Sequence, residues 1–417
     1  SSDSLIFNFG QDSSFAGSVT AQGNTDSNGV GDFYGTVPSG FVASCSANLP
    51  ETTISPNATT QADDHFTPYL WTGNGSNPRA FTDVGFQADF IWIKKRTSGG
   101  TTHHLVADSS RGDGKTMLVN EPNVEATNDN NGTVSDTTTA GGFTVNAGSS
   151  SDDMVNDGSD TYVAWLWKAN GGTTTTNDAS ATGVGNIDSV IQANTTSGFS
   201  IVTYTGNGTD NTDLGIAHGL GVTPKMVWVK NRDTYKSWQV YNSILSADGT
   251  YGIKNLFLDT NAAEDAYSDY IKTASSTTFT IRSDASDGVG RVNKNGDNYV
   301  AYCFAEVEGY LKLGKYSGNG STNGAFVFTG FRPAMVIIKQ TNSTNNWRII
   351  DNERDGYNGS TKVLYPSVSN TEGAEVGPDL VSNGFKLRSD TAGTNANGGT
   401  FIYMAFAEAP FKYANAR

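Results

Sequence analysis

This chain repeats itself, and no other feature of the sequence constrains the fold as much. Trp71-Thr72-Gly73-Asn74-Gly75 recurs as Tyr204-Thr205-Gly206-Asn207-Gly208 and again as Tyr316-Ser317-Gly318-Asn319-Gly320. A turn follows each phrase, at Gly85-Phe86, Gly219-Leu220-Gly221 and Gly330-Phe331. Next comes an apolar run ending in lysine: Phe90-Ile91-Trp92-Ile93-Lys94, Met226-Val227-Trp228-Val229-Lys230 and Met335-Val336-Ile337-Ile338-Lys339. A Gly/Asn-rich stretch leads to Gly142-Phe143-Thr144, Thr278-Phe279-Thr280 and Gly384-Phe385-Lys386. Each unit closes on a second apolar run, at residues 162–167, 299–304 and 402–406. Order and local spacing agree in all three copies, the signature of an internally duplicated architecture.

The units span residues 65–170, 183–309 and 310–417. At roughly 100–125 residues each is far longer than a stacking solenoid repeat and long enough to bury a core of its own. The expectation is therefore three compact beads along a rod. Residues 171–182 begin with Gly and Thr in low-complexity order and read as a linker, running into a first strand of the second unit within 187–199. The joint between units two and three, near 306–313, reads as stiffer. Residues 1–64 do not match the repeat. They hold a strand candidate at 5–10, a strand–turn–strand pattern at 31–43 and a polar connector at 51–64. Such a segment is short for an independent all-β core and reads as the end of a larger domain or a strand-donating arm.

Within a unit the lysine-terminated run is apolar on both faces: Phe90 and Trp92 on one, Ile91 and Ile93 on the other. That pattern demands cover on both sides, and the trailing lysine reads as the exit to solvent. Glycine supplies 48 of 417 residues, about 12% against a usual ~7%, and charged residues only 17%. Short apolar runs between turn-forming clusters predict an all-β fold: three tandem antiparallel β-sandwich domains preceded by a short β-rich N-terminal segment. One short helix per unit fits, for example around 262–270.

The net charge is −15 and the pI about 4.6. This opposes nucleic-acid binding, which needs clustered Lys and Arg, and docking on an anionic membrane. No apolar stretch approaches the ~20 residues of a membrane helix. The chain opens with Ser and shows no signal peptide, so it reads as processed or trimmed. Cys45 and Cys303 lie in different contexts and read as free thiols acting as small hydrophobes.

Several phrases carry a resemblance. The closing Ala405-Phe406-Ala407-Glu408-Ala409-Pro410-Phe411-Lys412-Tyr413-Ala414-Asn415-Ala416-Arg417 resembles the C-terminus of tail-fibre-like structural proteins of marine tailed bacteriophages. Residues 198–208, His218-Gly219-Leu220-Gly221-Val222-Thr223-Pro224 and residues 299–306 resemble the same family. Gly31-Asp32-Phe33-Tyr34 with Pro38-Ser39-Gly40-Phe41 is similar to the end of a lectin-like sandwich that often precedes these repeats, although the rest of such a domain is missing. The resemblance covers roughly residues 31–417. It implies a virion location, tail rather than capsid, and a non-enzymatic role in host attachment; the alternatives are a capsid decoration or other virion scaffold without receptor contact and a bacterial surface adhesin or filament subunit. The partners it implies are other virion proteins, a host surface glycan or protein, and further copies of the chain, such fibres commonly being trimers. It carries over no catalytic residue and no cofactor.

Several residues carry both a chemical and a structural reading. Glu306 and Glu408, both in Phe-Ala-Glu, with Glu308 or Asp297, imitate a glycosidase pair, but they fall in different repeats, and Lys168 takes the slot in the first. A reused structural position is the stronger reading. His103-His104 lacks a third ligand nearby, and His104 aligns with Trp238 and Trp347, so no metal is assigned. The Asn/Asp clusters at 128–132 and 293–298 do not have EF-hand spacing. The Gly-Asn-Gly phrases read as hairpin turns. The best ligand-binding candidates are aromatic, since Trp and Tyr offer a flat apolar face with a polar edge: Trp238, Tyr241, Trp347 and the adjoining Arg348; Trp238 and Trp347 sit among polar residues and read as partly exposed, although core packing is the stronger reading.

Overall fold

A computed structural model of the chain describes residues 10, 12–43, 48, 52–55, 58–97, 102–127, 130–150, 152–248, 252–267, 270–283, 290–356 and 358–409. The chain forms two compact units, Ser1–Thr52 and Thr53–Arg417. In the first, Asn24 and Phe33 form an antiparallel bridge, and the Asp26 carboxylate gathers the backbone N–H groups of Asn28, Val30 and Ala43. The strand candidate at 5–9 lies outside the described residues. The boundary falls twelve residues earlier than the expected end at 64. Residues 53–64 are no mere connector, because Ile54 and Ala62 are buried in the core of the second unit.

The second unit is all-β apart from single helical turns. Repeat 1 contains β1 Phe66–Thr72, β2 Arg79–Phe81, β3 Phe90–Lys95, β4 His104–Asp108, β5 Lys115–Leu118, β6 Ala126–Thr127, β7 Thr133–Asp136, β8 Phe143–Asn146 and β9 Thr161–Trp167. The stretch 171–182 is not a free linker: β10 Thr175–Asn177 and α1 Ala179–Thr182 lead to β11 Ser189–Asn194. Asp178 caps α1 by accepting from Ser180 and Ala181 N–H. The buried Asp89 carboxylate accepts from the N–H groups of Ala169, Gly171 and Gly172. Repeat 2 continues with β12 Phe199–Thr205, β13 Leu214–Ala217, β14 Met226–Asn231, β15 Gln239–Asn242, β16 Ala247–Asp248, β17 Gly252–Ile253, β18 Leu256–Phe257, β19 Tyr270–Ala274, β20 Thr278–Arg282 and β21 Asn298–Phe304. Repeat 3 holds β22 Leu311–Ser317, β23 Phe326–Phe328, β24 Pro333–Gln340, β25 Arg348–Asp351, β26 Lys362–Val363, β27 Gly373–Ala374, β28 Asp379–Val381, β29 Gly384–Lys386, α2 Ala392–Asn395 and β30 Thr400–Ala407. Residues 262–267, where a helix was expected, are loop with a bridge at Asp265.

All three repeats share one topology. Their larger sheets run β1-β9-β3-β4, β12-β21-β14-β15 and β22-β30-β24-β25, and their smaller sheets β2-β8-β7, β13-β20-β19 and β23-β29-β28. Every named strand pair is antiparallel. The repeated phrase explains itself here. Trp71 stacks on Tyr162, Tyr204 on Tyr299 and Tyr316 on Phe401, with centroids 5.2, 4.9 and 5.0 Å apart. The polar tip of each donates to a buried carbonyl, of Val155, Val292 and Thr394 respectively. The slot needs a large ring with a donor at its far end, which limits it to Trp or Tyr.

One face of each larger sheet packs on its own smaller sheet. Ile91 and Ile93 meet Phe81, Val134 and Phe143, and Val227 and Val229 meet Ile216 and Phe279. The opposite faces do not look outward. Phe90, Trp92 and Trp165, Met226, Trp228 and Tyr302, and Met335, Ile337 and Met404 belong to one continuous core drawn from all three repeats. Trp92 meets Trp228 edge-on at 5.9 Å, Phe90 lies 4.3 Å from Tyr302, and Phe66 stacks on Phe406 at 4.6 Å. The expected rod of beads is therefore replaced by a closed cluster in which each sandwich gives its second apolar face to its sisters.

Candidate functional site

The lysines that end the central strands are where the sequence reading fails most instructively. Lys94, Lys230 and Lys339 are fully buried, not exits to solvent. Each follows Trp92, Trp228 or Ile337 by two residues and so shares their inward face. Lys94 Nζ donates to Thr102 O (2.5 Å) and to Ser369 O of repeat 3 (3.0 Å). Lys230 Nζ donates to Lys236 O (2.7 Å) and to Pro122 O of repeat 1 (3.1 Å). Lys339 Nζ donates to Gln340 O (2.7 Å) and to Asn261 O of repeat 2 (3.3 Å). Burial pulls Lys94 down to about 7, Lys230 to about 8 and Lys339 to about 7. The same contact thus runs from repeat 1 to 3, from 2 to 1 and from 3 to 2. Head-to-tail contacts of this kind close into a ring.

The predicted aromatic ligands belong to the same seams. Trp238 and Trp347 are buried, and their indole N–H groups donate to Leu118 O of repeat 1 and Phe257 O of repeat 2, both at 2.8 Å. His104 fills the corresponding slot in repeat 1, with the Tyr365 backbone as its neighbour in repeat 3. Its Nδ1 accepts from Trp92 Nε1 at 3.0 Å, and burial holds it well below the usual imidazole range. Tyr241 is buried on the other face, in the sandwich core of repeat 2. Arg348 is also buried, its Nε donating to Glu375 (2.8 Å) and its guanidinium lying 5.5 Å from the Tyr365 ring centre. The four candidates do not converge on one site: Trp238, Tyr241 and Trp347 are buried in packing, while Arg348 borders an open pocket with Asn346, Tyr365 and Glu372.

Two seams add a buried ionic cluster. Asp108 accepts from Arg111 Nε (2.5 Å) and from the Tyr302 hydroxyl of repeat 2 (2.6 Å). Asp351 accepts from Arg354 Nε (2.6 Å) and from Trp165 Nε1 of repeat 1 (3.0 Å). Glu125 joins Arg111 to Arg232, and Glu372 joins Arg354 to Arg96, each glutamate bridging its own repeat to the next. The signal for these residues in the sequence is the recurrence of Asp-x-x-Arg at 108–111 and 351–354.

The remaining motifs are also engaged. Asn74, Asn207 and Asn319 of the Gly-Asn-Gly phrases do not make simple hairpin turns. Each exchanges amide and backbone bonds with a buried asparagine, Asn156, Asn293 or Asn395. A Cβ on Gly73, Gly206 or Gly318 would sit within 2.3 Å of a carbonyl oxygen in that partner loop, so close approach fixes the first glycine. Glu306 pairs with Lys225 and Lys312, and Glu408 with Arg332. Cys303 is buried, its thiol pushed up to about 12 by burial, while Cys45 lies outside the described residues. Among the described residues no three His, Cys, Asp or Glu side chains group as metal ligands. Exposed large apolar side chains are few in this unit, and Phe326 and Phe328 stand out on one strand.

A family model described as a domain of unknown function, DUF7483, matches residues 61–410. That span takes in every strand of the three repeats, from β1 to β30. No curated protein and no solved structure matches the chain.

Proposed function

The chain belongs to the DUF7483 family, and we propose that it is a non-enzymatic structural component of a phage virion, a tail fibre or receptor-binding protein that mediates host attachment. The observation that carries this reading is the closed ring of three sandwiches. A set of its buried charged and aromatic groups holds the repeats to one another, which suits a particle component under load. The resemblance of the repeat phrases and C-terminus to tail-fibre-like proteins supports a tail location. Repeated loop sets on a rigid block suit many weak contacts acting together, where avidity outweighs single-site affinity. The partners proposed are other virion proteins, further copies of the chain, and a host surface glycan or protein.

Labelled antibody against the purified chain, applied to intact particles, is expected to mark the tail, and purified chain is expected to slow adsorption to host cells. Label over the capsid without any effect on adsorption would replace this reading with a capsid decoration role. Failure to label particles at all would remove the virion assignment.

A further inference from the structure

The repeats supply internal controls for one another, and one core position departs from them. Register pairs Leu105 with Leu118 in repeat 1 and Gln239 with Phe257 in repeat 2. The bridge between Ile349 and Leu364 sets Arg348 opposite Tyr365 at the same place in repeat 3. In repeat 1 the contact is apolar, with Leu105 buried in the sandwich core. In repeat 2 the buried Gln239 is closed off by its own repeat, its amide donating to Asn255 Oδ1 at 3.0 Å. Repeat 3 puts a guanidinium in the slot, on a side chain only 9% exposed. A charge at a core position is costly unless it is paired, and a sequence breaks its own pattern chiefly at functional sites.

The pairing of Arg348 is incomplete. Its Nε donates to Glu375 (2.8 Å), which also accepts from the Tyr365 hydroxyl (2.8 Å), and its Nη1 donates to Asn346 O (3.0 Å). Its Nη2 has no hydrogen-bond partner among the described residues. Gly393 makes the room, since a Cβ there would lie within 2.0 Å of three guanidinium atoms. The guanidinium borders an open pocket of about 570 Å³, a size usual for small-ligand sites. Tyr365 gives the pocket a half-buried aromatic wall, and Asn346, Asn370, Thr371 and Glu372 complete the lining. The Asn346 Nδ2 and the Asn370 amide are likewise unpartnered among the described residues. The seam to repeat 1 holds the outer wall in place: Ser369 O accepts from Lys94 Nζ, and Glu372 accepts from Arg96 Nε (3.0 Å) and Nη2 (3.1 Å). A wall fixed in advance lowers the ordering cost of binding.

We propose that this pocket binds a neutral saccharide unit, with Arg348 Nη2 and the Asn346 and Asn370 amides on its hydroxyls and Tyr365 against its C–H face. A hydroxyl both donates and accepts, which matches unused donors on Arg348 and Asn346 beside an amide able to do either. The aromatic wall suits the apolar side of a sugar ring. An anion is the poorer fit, because Glu372 lines the pocket, Glu375 already neutralises Arg348, and the whole chain carries −15. An apolar ligand would leave the buried guanidinium nitrogen unpaired. The proposal deepens the attachment reading and rests on it for the source of the saccharide, a cell surface.

The test is saturation-transfer NMR of the full chain with the methyl glycosides of glucose, galactose, mannose and N-acetylglucosamine. Each is titrated to about 50 mM, since a ligand of about a dozen heavy atoms binds in the millimolar range. At least one is expected to saturate and to slow amide exchange over residues 365–373. Asn370→Ala/Thr371→Ala, on the pocket rim, should weaken that binding at least fivefold at an unchanged melting temperature. Arg348→Leu, which copies repeat 1, should abolish it, and methyl glucuronide should bind at least tenfold more weakly than the best neutral glycoside. No saturable binding by any glycoside, exchange protection elsewhere, undiminished binding to the rim variant or tighter binding of the glucuronide would each overturn the proposal. The best glycoside should also block attachment of the labelled chain to host cells. Binding without that block would overturn the cell surface as the source, and the labelling of intact particles reads the virion assignment separately.

Discussion

At the seam between repeats 3 and 1, Trp165 donates into a buried carboxylate, Asp351, which also holds the buried Arg354. The seam between repeats 2 and 3 is built on the same plan with different chemistry. Asp351 lies opposite Met335, and the residue opposite the equivalent Met226 is Asn242, with Leu245 three residues on where Arg354 stands. Met404 replaces Trp165, and Thr341 replaces Arg96. Glu264, the counterpart of Glu372, keeps its backbone bond across the seam to Thr341 O but turns its carboxylate to Ser246. What both seams retain is a buried lysine donating to a carbonyl of the next repeat and a ring in the slot of His104 or Trp347. The ring is thus specified by shape and backbone contacts, while the ionic cluster is an interchangeable filling. This agrees with the general finding that buried ion pairs can often be replaced by apolar residues at little cost, whereas half a pair is costly.

The largest effect tests whether the seams are needed at all. Repeat 2 alone, residues 183–309, would expose the inward faces of Trp228, Tyr302 and Phe304. It is expected to aggregate or self-associate, and a cooperatively unfolding monomer in analytical ultracentrifugation and urea denaturation would restore the independent-bead picture. Next, Asp351→Ala leaves Arg354 and the Trp165 indole without their partner and should cost about 3–5 kcal/mol in urea unfolding. Asp351→Asn/Arg354→Leu copies the third seam and should cost clearly less than the single change, and an equal or larger loss would refute the interchangeable-filling account. Trp347→Phe removes the donor to Phe257 O and leaves a void, for about 2–4 kcal/mol.

A smaller effect concerns pH. The three buried lysines have folded-state values near 7 to 8 against 10.5 when exposed. Between those limits the unfolded chain binds more protons than the folded one, so stability should climb as pH rises from 7 towards 10. Unfolding midpoints measured across that window should lose much of their slope in Lys94→Met/Lys230→Met/Lys339→Met. Glu264→Gln, at the seam without the cluster, should change stability by no more than about 0.5 kcal/mol, and a loss like that of Asp351→Ala would erase the contrast between the seams.

Much of the fold was legible because strands write their period directly into residue type. The runs at 90–94, 226–230 and 335–339 announced strands covered on both faces, and β3, β14 and β24 are such strands. The repeated Gly-Asn-Gly phrase announced three copies of one unit. Less of the site could be read. Trp238 and Trp347 looked half-exposed because their neighbours in sequence are polar, but the residues that bury them come from another repeat. Lys94, Lys230 and Lys339 looked like solvent exits because a lysine at a strand end usually is one. The carbonyls that receive them, of Ser369, Pro122 and Asn261, lie far away along the chain, in loops with no regular pattern.

Taken alone, then, the sequence determined the strands, their two apolar faces and the threefold duplication, all of which follow from short-range periodicity and from matches between copies. Only the tertiary structure decided what the second apolar face meets. A doubly apolar sheet can be satisfied by a partner chain, by a further layer of its own domain or by its sisters, and these alternatives share one local pattern. They differ in which distant carbonyls and carboxylates come within hydrogen-bond reach, and long-range packing alone sets that.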